Sequence, residues 1–216
     1  MELKTKKFIF LGDSITEGVG VSHVSYRFAN VFQNLSGCEA YVDGIGGTRF
    51  AKQKDGDVTE RANRYFGSRV SAMPTETDYV VVFGGTNDFG HGNAPFGEYG
   101  DTTIDTFYGA IENLCCTLVS KFPSATIVFM TPLHRLGEDT LVNDNGLPRK
   151  PLIEYVNAIK RVCQKYSLPV LDLYSVSGIQ PAVPAIKEKY MPDGLHPNDA
   201  GAEKIARLLY KFIRGL

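Results

Sequence analysis

The chain has 216 residues, of which 43% are hydrophobic and 22% charged, with a formal net charge of −1 at pH 7. These values are typical of a globular protein and exclude a largely disordered or repetitive chain. A near-neutral chain lacks the basic face that nucleic acids and anionic membranes select, and no apolar run approaches the roughly 18 residues that span a bilayer. We therefore expect one domain over residues 1–216, in the cytoplasm, with a small-molecule substrate.

Five short, almost continuously apolar runs follow one another along the chain. They cover residues 8–12, 40–44, 79–85, 126–132 and 169–174. Runs of this kind are typical of buried strands in a parallel sheet that is covered on both faces. With helical patterns between them, they predict an α/β fold: a three-layer α/β/α sandwich around a central, mostly parallel five-stranded sheet.

Apolar residues spaced three or four apart predict three long helices between and after these strands. The third helix covers residues 199–213 and begins behind a capping residue, Asn198, and the second follows Pro151. The apolar faces consist, in order, of Phe107, Ile111, Leu114 and Leu118; of Ile153, Val156, Ile159 and Cys163; and of Ile205, Leu208, Leu209 and Phe212.

The sequence GDSITEG, residues 12–18, begins at the last residue of the first predicted strand. A phosphate-binding loop would need a lysine after its last glycine, but Val19 stands there, and a dinucleotide-binding glycine pattern is also missing. The four cysteines lack the spacing of a zinc site. We therefore expect neither cofactor nor metal. Ser14 is either a nucleophile or the N-cap of a helix, and a base elsewhere would decide between them.

The sequence DGLHPNDAG near the last helix contains a candidate base, His196. Asp193 stands three residues earlier across a glycine-containing turn, so its carboxylate can lie beside the imidazole and orient it. Alternatively, Asp193 caps the backbone and His196 is a surface residue. Asp172, at the end of the fifth predicted strand, is a second candidate partner for His196.

Two further segments offer hydrogen-bond donors for a developing oxyanion. Asn87, in GGTND, carries a side-chain amide at a strand end, and Gly47, in DGIGGT, can present its backbone N–H without a side chain in the way. Gly46 is the alternative to Gly47. We expect the neighbouring carboxylates of Asp13 and Asp88 to brace loops by accepting backbone N–H groups.

Other polar residues near the predicted strand ends are weaker candidates. His91 and Arg135 could bind substrate, but for each of them we favour the interpretation as a loop or surface residue. The segments 48–58 and 90–103 are rich in glycine, charge and turn residues. They could form the walls of a pocket or be plain surface connections.

Together, the segments around Ser14, Gly47, Asn87 and His196 resemble the four sequence blocks of the SGNH hydrolases, also called GDSL esterases and lipases. The fourth residue of the first block is isoleucine here instead of leucine. The resemblance implies a flavodoxin-like fold, Ser14 as nucleophile, His196 as general base and acid, and Asp193 as its orienting partner. It also implies an oxyanion hole made by the backbone N–H groups of Ser14 and Gly47 and the side chain of Asn87.

The resemblance implies an ester hydrolase that works through an acyl-enzyme. The absence of tryptophan and of an apolar lid segment favours short acyl groups such as acetyl, carried by a small-molecule or carbohydrate ester. The alternatives are a lipase or thioesterase acting on longer acyl chains, a metal-dependent phosphoesterase, and a non-catalytic carbohydrate-binding protein on the same fold.

Overall fold

In the computed structural model, which describes residues 3–54 and 64–216, five strands form one sheet. They are β1 (Lys7–Gly12), β2 (Glu39–Gly44), β3 (Tyr79–Phe83), β4 (Thr126–Met130) and β5 (Val170–Leu171). The order across the sheet is β2-β1-β3-β4-β5, and every neighbouring pair is parallel. The predicted α/β fold is confirmed, and this strand order is the flavodoxin-like one.

Helices connect the strands. They are α1 (Ser14–Glu17), α2 (Phe28–Ser36), α3 (Phe66–Arg69), α4 (Thr86–His91), α5 (Phe107–Lys121), α6 (Leu152–Lys165), α7 (Leu173–Val176), α8 (Pro184–Tyr190) and α9 (Asp199–Arg214). Among them, α5, α6 and α9 match the three predicted long helices. As predicted, α9 begins behind Asn198, whose side chain accepts the N–H of Gly201. Within the described ranges, no helix is long and apolar enough to cross a bilayer.

The side chains of β1 divide the core into two layers. Successive side chains of a strand point to opposite faces of the sheet. Phe8 and Phe10 pack with residues of α2 and α9, whereas Ile9 and Leu11 pack with residues of α5 and α6. The sheet is therefore the middle layer of a sandwich with helices on both sides.

Two strands differ from their predictions. Only Val170–Leu171 of the predicted strand 169–174 pairs with β4, because Asp172 caps α7 by accepting the N–H of Ser175. β2 is at the edge of the sheet and is only half-buried, with Tyr41 44% exposed. The expectation that this strand is covered on both faces is therefore wrong.

The register of the strands brings their carboxyl ends to one edge of the sheet. Gly12, the last residue of β1, pairs with Gly44 on one side and Phe83 on the other. Phe83 pairs in turn with Met130, and Met130 with Leu171. The polar segments that follow these five residues consequently share one rim, which is where ligands bind in open α/β sheets.

Candidate active site

Ser14 is the first residue of α1, directly after the end of β1. The N-cap of this helix is Asp13, whose Oδ1 accepts the N–H of Ile15 at 3.0 Å. Gly18 ends the helix in the left-handed conformation, with φ of 101°. Because Asp13 provides the cap, the hydroxyl of Ser14 can bond to a partner from elsewhere in the chain.

That partner is His196, 182 residues further along the chain, with Nε2 at 3.1 Å from Ser14 Oγ. The other ring nitrogen, Nδ1, lies 2.7 Å from Asp193 Oδ2. Asp193 Oδ1 meanwhile accepts the N–H groups of Leu195 at 2.8 Å and His196 at 2.7 Å. The two interpretations of Asp193 therefore both hold: one oxygen caps the turn and the other contacts the imidazole.

The environment of Asp193 favours its ionised form. Burial opposes ionisation, but hydrogen bonds from the backbone of His196 and Leu195 and from the imidazole outweigh it, so the pKa lies below its usual value. Asp172, the other candidate, is bound elsewhere. Its carboxylate accepts hydrogen bonds from three side chains, those of Lys160, Thr131 and Ser175.

The turn that follows β2 lies beside Ser14, and its two glycines differ in their hydrogen bonds. The N–H of Gly46 donates to Glu17 Oε2 at 2.7 Å. Gly47 has a φ of 78°, and its N–H donates no backbone hydrogen bond within the described parts of the chain. A Cβ built on Gly46 would lie 3.6 Å from Ser14 Cβ. Of the two glycines, Gly47 is therefore the one whose N–H is available to a ligand.

Asn87 joins this turn to α4. It is the second residue of α4, and its buried Nδ2 donates one hydrogen to the carbonyl oxygen of Thr48 at 3.1 Å. Since an amide nitrogen carries two hydrogens, one remains for another acceptor. The bond to Thr48, the residue after Gly47, holds the amide next to the turn that contains Gly46 and Gly47, here called the glycine turn.

The two buried carboxylates beside these segments accept backbone N–H groups, as predicted, but Asp13 caps a helix whereas Asp88 braces a loop. Asp88 accepts the N–H of Phe50 on Oδ2 and that of Ala51 on Oδ1, each at 3.0 Å. Burial raises the pKa of Asp88 to about 6 and that of Asp13 to about 7, although backbone hydrogen bonds act in the opposite direction. Among the residues that the structure describes, no group of three or more His, Cys, Asp or Glu side chains could hold a metal ion.

Arg69, which the sequence analysis missed, ties three of these segments together. Its Nη2 donates to the carbonyl oxygen of Gly12 at 3.0 Å and to Thr48 Oγ1 at 3.3 Å. Its Nη1 donates to the carbonyl oxygen and a carboxylate oxygen of Asp43, at 3.0 and 3.1 Å. The guanidinium is buried and links the ends of β1 and β2. No motif surrounds Arg69, so the sequence alone gave no signal of this contact.

His91 and Arg135 both bond to the protein near the rim. His91 Nδ1 hydrogen-bonds to Arg49, and burial, helped by the charge of Arg49, lowers the pKa of His91 to about 4. Arg135 donates to the carbonyl oxygen of Thr86 at 3.0 Å. Each side chain thus has a structural partner, and a role in substrate binding stays a prediction for both.

One of the two predicted loops contributes to a cavity wall. Residues of the segment 90–103 line a cavity of about 370 Å³ beside Asp88. Those residues are Gly92, Ala94 and Phe96, and the remaining walls come from Leu141, Asn143, Pro148, Arg149, Lys150 and Tyr155. In the other loop, Phe50 and Ala51 are buried, whereas residues 55–58 lie outside the described part of the chain.

Comparison with known proteins identifies a family and several relatives. The model of the GDSL-like Lipase/Acylhydrolase family matches residues 10–204. A solved structure of a protein from Lactobacillus plantarum is 30% identical and superposes with a TM-score of 0.83, covering 98% of both chains. This likeness extends over nearly the whole sequence.

Two further relatives are longer than this chain. An acetylxylan esterase from Xylanibacter ruminicola is 22% identical over 215 residues, which cover 94% of this chain and 42% of the esterase. The solved structure of a two-domain esterase active on acetylated mannans is 20% identical with a TM-score of 0.67, and the match covers 98% of this chain and 49% of that one. The chain thus spans less than half the length of each, and the likeness to the two-domain esterase shows the fold alone.

Proposed function

The chain belongs to the GDSL-like Lipase/Acylhydrolase family, and we propose that it is a serine-dependent carboxylic ester hydrolase, formed by one domain over residues 1–216. The observation that carries the proposal is the hydrogen-bonded series Ser14, His196 and Asp193, with distances of 3.1 and 2.7 Å. A hydroxyl, an imidazole and a carboxylate in this order form the arrangement that activates a serine for attack on a carbonyl.

In the proposed first step, Ser14 Oγ attacks the carbonyl carbon of the ester while His196 Nε2 takes the hydroxyl proton. Asp193 stabilises the resulting imidazolium and keeps Nδ1 protonated. The negative charge moves to the carbonyl oxygen, where three donors are available: the N–H groups of Ser14 and Gly47 and the second amide hydrogen of Asn87. The N–H of Ser14 belongs to the first turn of α1 and has no acceptor within the helix.

The tetrahedral intermediate then collapses. The bond to the leaving oxygen breaks, His196 gives its proton to that oxygen, and the alcohol leaves with the acyl group bound to Ser14. In the second half, a water molecule gives a proton to His196 and attacks the acyl carbon. Ser14 leaves, takes the proton back, and the carboxylic acid is released.

We infer that the acyl group is short, such as acetyl, and that its ester belongs to a small molecule or a carbohydrate. Two of the relatives support this: one is an acetylxylan esterase and the other is active on acetylated mannans. The chain also has no tryptophan, one of the large apolar side chains that long acyl chains could pack against.

Replacement of Ser14 tests the proposed nucleophile. In Ser14→Ala we expect kcat for p-nitrophenyl acetate to fall on the order of 10⁶-fold, because the attacking oxygen is lost. The matched control is Ser124→Ala, since Ser124 is exposed and precedes β4 at the opposite end of the sheet. Circular dichroism would show that both variants are folded. Activity that survives in Ser14→Ala, or that a chelator removes, would contradict the assignment.

A substrate panel tests the acyl preference. We expect kcat/KM to be highest for the acetyl member of a series of p-nitrophenyl esters of increasing chain length, and acetylated xylan to release acetate. A preference for long chains would indicate the lipase or thioesterase alternative. Binding of the polysaccharide without cleavage of any ester would indicate a carbohydrate-binding protein.

A further inference from the structure

Glu17 is the last residue of the short helix that Ser14 begins, and its carboxylate reaches the turn after β2. Its Oε2 accepts the N–H of Gly46 at 2.7 Å. Residues three apart lie on the same face of a helix, so Ser14 and Glu17 both face this turn. One turn of helix thus carries both the hydroxyl group and an acceptor for the glycine turn.

The last residue of β2, Gly44, and the turn residue Gly46 pack closely against α1. A Cβ on Gly44 would lie 2.2 Å from the backbone nitrogen of Glu17, and a Cβ on Gly46 would lie 2.8 Å from Glu17 Oε2. Glycine at both positions therefore allows the carboxylate to reach the Gly46 N–H. The same glycines leave the turn with unusual backbone freedom.

Gly47 lies between two side chains that restrict this freedom. On one side, Glu17 holds the N–H of Gly46, and on the other, Arg69 holds Thr48 Oγ1. The φ of Gly47 is 78°, a conformation that only glycine adopts readily. The N–H of Gly46 belongs to the peptide unit between Ile45 and Gly46. The bond to Glu17 therefore fixes the unit directly before the one that carries the Gly47 N–H. The N–H of Thr48, which donates to the carbonyl oxygen of Ile45 at 3.3 Å, closes the turn on the other side of Gly47.

We propose that Glu17 is a positioning residue, which fixes the Gly47 N–H in the oxyanion hole through its hydrogen bond to Gly46. The inference rests on the proposed function, because it assumes that an oxyanion forms next to Ser14. Donors that are held in place before the reaction stabilise the charge that develops in the transition state. Loss of Glu17 therefore affects kcat and leaves the binding of the uncharged substrate unchanged.

Variants of Glu17 test the proposal. Deletion of a whole oxyanion donor costs about 10²- to 10³-fold in kcat, so misplacing one donor in Glu17→Ala should cost about 10- to 100-fold, with KM within about twofold of the wild type. Glu17→Gln keeps an oxygen acceptor of the same length and should restore kcat to within a few-fold. Glu17→Asp withdraws the acceptor and should behave like Glu17→Ala, which keeps the test available if the alanine variant does not fold.

Affinity for a trifluoromethyl ketone provides a readout that a purely structural role would not change. Such a ketone forms a hemiketal oxyanion with the serine. Its inhibition constant should therefore rise in Glu17→Ala by the same factor by which kcat/KM falls. The matched control is Glu203→Ala, because Glu203 is an exposed residue of α9 that pairs with Arg207. This variant should keep the wild-type kcat and inhibition constant.

The outcomes separate this proposal from the proposed function. An inactive Ser14→Ala together with unchanged kcat and ketone affinity in Glu17→Ala would refute the role of Glu17 alone. A loss in Glu17→Gln as large as that in Glu17→Ala, or a loss confined to KM, would refute it as well. An active Ser14→Ala would instead refute the proposed function and the role of Glu17 with it.

Discussion

Asp193 divides its carboxylate between the backbone and the imidazole. Oδ1 is held by the N–H groups of Leu195 and His196, and this fixes Oδ2 in place beside His196 Nδ1. Because the anchoring groups belong to the same short turn as the imidazole, carboxylate and ring move together. The orientation of the proposed base is thus set locally, within four residues of sequence.

Replacement of Asp193 by asparagine should place a hydrogen-bond donor, instead of an acceptor, beside Nδ1 of the His196 ring. An amide hydrogen facing Nδ1 would favour the tautomer with its proton on Nε2, which then cannot accept the proton of Ser14. By analogy with other serine hydrolases, we expect kcat in Asp193→Asn to fall about 10³- to 10⁴-fold. Steady-state hydrolysis of p-nitrophenyl acetate measures this effect.

Asp172→Asn is the control for this experiment. Its carboxylate bonds to Lys160 at 2.6 Å and to Thr131 and Ser175 at 3.0 and 2.9 Å. Its replacement should therefore lower the free energy of unfolding and leave kcat unchanged. If Asp172→Asn loses activity and Asp193→Asn retains it, the assignment of the partner is wrong.

At the scale of single residues, sequence blocks were sufficient to find the polar groups that the structure brings together. Ser14, Asn87 and His196 each stand in a short pattern with few alternatives. The choice between Gly46 and Gly47, in contrast, required the position of the Glu17 carboxylate. Contacts of this kind depend on the path of the folded chain, which no local pattern encodes.

Among the elements, α1 depends on its surroundings because an isolated helix of four residues is unstable in water. Its N-cap, Asp13, is buried with only one oxygen bonded: Oδ1 accepts the N–H of Ile15, whereas Oδ2 has no hydrogen-bond partner within the described residues. Burial raises the pKa of Asp13 from 3.8 to about 7. The helix that carries Ser14 therefore begins at a carboxyl group that titrates near neutral pH.

The raised pKa of Asp13 makes the stability of the fold depend on pH. The native state binds this proton more tightly than the unfolded chain does, so the contribution of Asp13 to the free energy of unfolding is largest below its unfolded pKa of 3.8 and is lost as the pH rises through about 7. Asp13→Asn keeps an oxygen acceptor for Ile15 but cannot ionise. We expect a shallower decline of the unfolding free energy between pH 5 and 7 in this variant, measured with urea at each pH.

The carboxyl group of Asp88, whose pKa burial raises to about 6, remains in that variant. The pH dependence should consequently shrink without disappearing. An identical slope in Asp13→Asn and the wild type would show that Asp13 is ionised in the native state throughout this range.

Helices could be predicted from the sequence only where they are long. The helices α5, α6 and α9 have 14 to 16 residues, long enough for the helical period of apolar residues to be visible. The four-residue helices α1 and α7 are too short to show a period. The predicted fifth strand is too long for a related reason. The apolar run continues to residue 174, but the four-residue helix α7 begins behind Asp172, and no helical period marks that change.

For the whole molecule, α9 is the element that completes the second core layer. Its buried face includes Leu209, which is fully buried in the cluster with Phe10 and Phe32. In Leu209→Ala we expect the free energy of unfolding to fall by about 2–5 kcal/mol, from lost burial and the cavity left behind. Urea denaturation monitored by circular dichroism measures the change.

The neighbouring Leu208 provides a matched control, because it is only partly buried on the same helix. Leu208→Ala should cost clearly less than Leu209→Ala. The folded fraction of both variants should keep the wild-type kcat for p-nitrophenyl acetate. Equal losses of stability would contradict the assignment of the buried face of α9.

The separation of 182 positions between Ser14 and His196 also has a consequence for the order in which the two residues are synthesised. On the ribosome the proposed nucleophile is added 182 positions before its proposed base, so over that interval the nascent chain holds the serine without the histidine. The nascent chain therefore cannot hydrolyse esters with this pair of residues until β1 and α9 have docked. During refolding, the return of ester cleavage would accordingly report when the segments around Ser14 and His196 come together, which spectroscopic probes of helix content do not detect.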